Sequence, residues 1–96
     1  MSSSSPRTWR VPPEADPRHR DWEDEDVFFH GGAGDTHRLS APAALVLLCL
    51  MRSPADEATL AAALAEAAAC GSDEAGVALV AILAELERLE FAEPLA

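Results

Sequence analysis

Three histidines, two cysteines and one acidic run are the features of this chain that could do more than pack: His19, His30, His37, Cys49, Cys70 and "DWEDED", Asp21 to Asp26. A catalyst needs a nucleophile with its base, a paired acid and base, or a metal cage. His30 and His37 flank the glycine-rich "GGAG", Gly31 to Gly34, and could face each other across a hairpin. Two imidazoles with no third ligand near them in sequence are a weak zinc signal. The five acids of "DWEDED" could hold a cation, although such a run reads first as a solvated surface. "GGAG" leads into Asp35 and a strand pattern, not into a helix start with lysine, so it is no phosphate cradle. Cys49 and Cys70 sit in helical patterns without a C-x-x-C pair and read as free, buried thiols. These residues point to no enzyme, no metal centre and no cofactor. A surface that binds a polypeptide is the remaining expectation.

The chain has 96 residues, the size of one domain. Acids number 17 against 7 basic residues, all arginine, for a net charge of −10. Four arginines and two acids fall in residues 1–20, and three arginines and fifteen acids in residues 21–96. A surface this acidic is repelled by nucleic acid, so no nucleic-acid partner is expected. The apolar run Ala41 to Met51 is too short for a membrane helix, which needs roughly 20 residues. "MSSSSPRTWR" lacks the apolar core of a signal peptide, and a cytoplasmic protein with no membrane partner is expected.

Residues 1–25 read as a flexible arm with a short strand at "TWRV", Thr8 to Val11, and with Trp9 and Trp22 docked on the domain. Residues 26–96 read as the folded domain. "DVFFH", the glycine turn and "THRL" predict a hairpin. Ser40 as N-cap and Pro42 in the first turn predict a helix over about Ala41 to Arg52, apolar nearly all round and therefore central. A second helix is predicted from Asp56 to Ala69, with Leu60 and Leu64 on its narrow apolar stripe. Gly71 reads as its stop and Ser72 as the N-cap of a third helix, Asp73 to about Glu90.

On that third helix Leu79, Ile82, Leu83, Leu86 and Leu89 share the face that must meet the core. Val77, Val80 and Ala84, with Phe91 beyond, form an adjoining flank, which either packs under the hairpin or the arm or walls a binding groove. Pro94 prevents helical continuation. The expected class is α+β and winged-helix-like: a small antiparallel sheet of two or three strands, then three helices.

"DVFFHGGAGDTHRLSAPAALVLL", with "SPADEATLAAALAE" and "VAILAELERLEFAEP", resembles the PqqD family of peptide chaperones, also described as RiPP recognition elements. The likeness is to the subgroup encoded beside a kinase related to the HPr kinase. The residues that carry it are Gly34, Asp35, Thr36, His37, Leu39, Ser40 and Ala43, and it covers about Trp22 to Pro94. The resemblance implies a three-stranded sheet with three helices. It also implies a leader peptide of a ribosomally made precursor, added as a strand beside the third sheet strand and presented to a modifying enzyme. Carried over, the edge is Thr36, His37, Arg38 and Leu39, and the wall is drawn from Val77, Val80, Ala84 and Glu87.

Two other readings stand beside the chaperone. A structural subunit could dock permanently on a partner enzyme through the flank. A winged-helix transcription regulator would need a basic recognition helix, but the third helix has Arg88 against Asp73, Glu74, Glu85, Glu87 and Glu90.

Overall fold

Successive strand side chains point to opposite faces, and over residues 18–39 this sets Phe28 and Leu39 inward and Arg18, Arg20 and Arg38 outward in the sheet on which the helices rest. In the computed structural model, which describes residues 7–95, the order is β1 (Thr8–Arg10), β2 (Arg18–Trp22), β3 (Glu25–His30), β4 (Asp35–Leu39), α1 (Ala41–Arg52), β5 (Ala55–Asp56), α2 (Glu57–Ala68), α3 (Ser72–Arg88) and β6 (Glu93–Pro94). The α+β class, with a small antiparallel sheet followed by three helices, is the one predicted. No single helix is long and apolar enough to cross a membrane among the described residues.

The first sheet has the order β2-β3-β4, antiparallel throughout. Its register aligns His19, Phe28 and His37 in one row and Arg18, Phe29 and Thr36 in the next. The first row faces inward: Phe28 is fully buried, stacks on His19 and meets Phe91 edge-on. Leu39, one step beyond His37 on the same face, is also in the core. β3 and β4 are joined by Gly31 to Gly34, with the Gly34 N–H on the His30 carbonyl at 2.7 Å and Gly34 at φ 78°.

Residues 7–25, expected as an arm, contribute two strands. β1 is the predicted "TWRV" strand, and it lies between β5 and β6 in a second sheet of order β5-β1-β6, which the sequence does not foretell. Trp9 is 4% exposed in the core, and its indole N–H donates to Glu57 Oε2 at 2.8 Å. A buried indole needs such an acceptor, and the first residue of α2 supplies it. Trp22 does not dock and stays 57% exposed. It ends β2 on the outer side of the sheet, next to a two-residue turn in which Glu23 and Asp24 both have positive φ, at 50° and 65°. That is the type I′ geometry, which favours Asn-Gly over Glu-Asp, so the turn left no trace in the composition.

The helices follow their caps. Ser40 Oγ accepts the Ala43 N–H at 3.3 Å, and Asp56 Oδ1 accepts the Thr59 N–H at 2.8 Å. α1 buries Ala43, Ala44, Val46, Leu47 and Leu50 and is the centre of the core. α2 ends earlier than Gly71: Ala69 takes the left-handed conformation at φ 54°, and the Cys70 N–H reaches back to the Ala65 carbonyl at 3.1 Å. With the reversal already made, Gly71 caps α3 without a side-chain bond and Ser72 becomes its first residue. α3 buries Ala75, Leu79, Ile82, Leu83 and Leu86 as its period requires. Cys49 and Cys70 are free and half-buried.

Candidate functional site

An edge strand offers alternate backbone N–H and C=O groups to whatever lies beside it. β4 pairs with β3 alone, so its other side is open among the described residues, whereas the far side of β3 is taken by β2. Thr36 and Arg38 are exposed and point outward; His37 is half-buried and points inward, where its ring meets Phe91 edge-on at 5.6 Å. Leu39 is only 7% exposed. Its side chain belongs to the core, and only its backbone can serve the edge.

The predicted wall divides in two. Val77 and Val80 are 75% and 69% exposed and pack under neither the hairpin nor the arm. Ala84 continues that exposed stripe. Phe91, expected on the same flank, is instead fully buried between the sheet and the end of α3. Glu87 lines a separate cavity of about 260 Å³ with Pro12, Glu14, Glu90, Ala92 and Glu93, so it shares that space with Glu14 from the segment between β1 and β2 and with two carboxylates that follow α3. Just beyond the C-terminal end of α3, Phe91 packs against His37 of β4. Val77 sits ten residues before Glu87, about 15 Å up the helix at 1.5 Å per residue.

The histidines are placed by the register. His30 is opposite Asp35 and His37 opposite Phe28, so the two do not face each other; both pack on Phe91, at 5.1 and 5.6 Å between ring centres. His30 is buried, with Nε2 on the Glu90 carbonyl at 2.9 Å and Nδ1 accepting the Ala33 N–H at 2.9 Å. His19 Nε2 lies 2.7 Å from Asp26 Oδ1 and 3.5 Å from Asp21 Oδ1. One atom from each of these three residues falls within 4.8 Å of the others, and the short His19–Asp26 hydrogen bond uses two of them without an ion.

The glycine-rich turn has a structural task. The segment Pro12 to Asp16 folds against it: the Ala15 N–H bonds to the Pro12 carbonyl at 2.9 Å, and the Gly31 N–H to the Ala15 carbonyl at 2.7 Å. A Cβ on Gly32 would collide with the Glu14 carbonyl oxygen. Gly32 is glycine because another backbone runs across it, not because an anion sits there.

No family model matches the chain, and no curated protein or solved structure matches it. The residues from which the PqqD resemblance was expected have the following places. Gly34 closes the hairpin, Asp35 to Leu39 form β4, Ser40 caps α1 and Ala43 is buried in its first turn.

The outer face of the first sheet was not read from the sequence. Arg18, Arg20 and Trp22 recur at every second residue of β2, and the register sets them beside Phe29, Val27 and Glu25 of β3. The period of two in "RHRDW" was the available signal. Neighbouring prolines and charges masked it.

Proposed function

We propose that this chain is a non-catalytic, PqqD-like peptide chaperone of the cytoplasm. It binds the leader of a ribosomally made precursor peptide by strand addition and presents it to a modifying enzyme, with a kinase related to the HPr kinase as the enzyme suggested by the resemblance. The observation that carries the reading is the open edge of β4, which follows a hairpin and precedes the central helix with no strand of the described residues beside it. In this mode main-chain hydrogen bonds give affinity and alternate side chains give selectivity. The exposed stripe Val77, Val80 and Ala84 supplies apolar contact along α3, and Thr36 and Arg38 flank the edge from the outer side.

The test is hydrogen exchange with leader peptides from precursor genes adjacent to this one. Binding by strand addition slows exchange of amides within Thr36 to Leu39, and Val80→Asp weakens it without changing the melting temperature. Leu39 is unsuitable for substitution because it is a core residue. Peptides that leave these amides unprotected, together with tight binding of a partner enzyme, would establish the structural-subunit reading instead.

A further inference from the structure

We infer that the outer face of the first sheet is a docking surface for an acidic, extended polypeptide segment with an apolar anchor. This face shares Thr36 and Arg38 with the outer side of the β4 edge, but its core, Arg18, Arg20 and Trp22, lies on β2 across the sheet, and the inference does not depend on what the β4 edge binds.

The face is concave, an open depression of about 490 Å³ whose lining includes Arg18, Arg20, Trp22, Val27, Phe29 and Thr36. In a chain of net charge −10, three of the seven arginines converge here: Arg18, Arg20 and, across the sheet, Arg38. Glu25 is the only carboxylate that the strand register sets among them. Its contact with Arg38 is 3.7 Å, and that of Arg18 with Asp16 is 3.4 Å, with the guanidinium side chains 73% and 74% exposed. Ion pairs this exposed are weak and readily exchanged for others. Arg20 has no ion pair among the described residues. Beside the charges, Trp22 is 57% exposed and Phe29 39%.

The spacing selects the ligand. Arg18, Arg20 and Trp22 are two residues apart along one strand, so their side chains repeat at about 6.6 Å, the same-side repeat of any extended chain. A segment with two carboxylates at alternate positions and an apolar side chain at the next alternate position meets all three in register. Carboxylates suit guanidinium because they can accept two parallel N–H bonds. A nucleic acid is the poorer match. It brings one negative charge with every nucleotide, and beyond three arginines those charges meet a chain with an excess of acids.

Trp22 is itself the reporter, because Trp9 is buried. The whole chain is titrated with a synthetic peptide carrying two glutamates at alternate positions and a phenylalanine at the next. The same peptide with lysine for glutamate and an oligouridylate of equal length are the comparisons. The expected result is a saturable change in Trp22 emission with the glutamate peptide, weakened by salt and absent in Trp22→Phe. Arg20→Glu should weaken it about fivefold or more, with an unchanged thermal melt. No saturable response, a response indifferent to Arg20→Glu, or tighter binding of the lysine peptide or the oligouridylate overturns the inference. Amide protection within Thr36 to Leu39 reports pairing at the β4 edge, and Trp22 emission with its dependence on Arg20 reports the β2 side of the face, so failure of one reading is distinguishable from failure of the other.

Discussion

His30 Nε2 lies 2.9 Å from the carbonyl oxygen of Glu90, and that single bond ties the glycine hairpin to the end of α3. Because Nδ1 accepts the Ala33 N–H, Nε2 is the nitrogen whose N–H donates to the Glu90 carbonyl. Glu90 itself takes φ 66°, the left-handed turn that directs the chain from α3 toward Phe91. His30→Ala removes a buried ring and leaves two backbone groups without a partner. Denaturant unfolding should show a loss of about 2–4 kcal/mol. A loss below about 0.5 kcal/mol would mean that water replaces both bonds.

Gly32→Ala tests the crossing of the Pro12 to Asp16 segment over the hairpin. The new Cβ meets the Glu14 carbonyl oxygen, which is backbone and cannot swing aside as a side chain could. The expected destabilisation is about 1–3 kcal/mol. Gly76→Ala, inside α3, is the control, since nothing lies near a Cβ there and alanine favours the helix.

Two left-handed positions held by non-glycine residues should respond in the opposite sense. Ala69 at φ 54° and Asp24 at φ 65° each carry a Cβ in a region that costs an L-residue about 1 kcal/mol. Ala69→Gly and Asp24→Gly should each raise stability by about 0.5–1 kcal/mol, less than the full relief because glycine also loosens the unfolded chain. Thermal melts of the two single variants decide it.

Asp56 supplies a pH dependence. The Thr59 backbone N–H, at 2.8 Å, holds its carboxyl below the ordinary value, with the Thr59 side chain adding to the effect. Its pKa is therefore lower in the folded than in the unfolded state. The stabilisation is complete above the unfolded value and is lost as pH falls through the folded one. Asp56→Asn keeps a capping oxygen without the charge, so its melting temperature should approach that of the native chain as pH is lowered toward about 2. A constant gap between the two across the acid range would remove Asp56 from the account.

How much was legible depends on the reach of each signal. Ser40 and Asp56 act within three residues of themselves, so α1 and α2 could be placed almost to the residue. The glycines of the β3–β4 turn likewise announce their hairpin, and with it the edge from Thr36 to Leu39. The β2–β3 turn did not announce itself, because Glu23 and Asp24 adopt a geometry that their types do not favour. Burial was misjudged where the sequence carries no sense of direction: Leu39 turned inward, Trp22 outward, and Glu87 toward Glu14 rather than β4.

By itself, then, the sequence determined the α+β class, three helices, one hairpin and the acidic balance, since caps, turns and helical periods are local. Only the tertiary structure decided the second sheet, in which Arg10 and Glu93 meet from 83 positions apart. It also decided that three arginines and Trp22 share the outer face of the first sheet. Such pairings close long loops, and their reward appears only when distant strands bury a common core around Trp9 and Phe28.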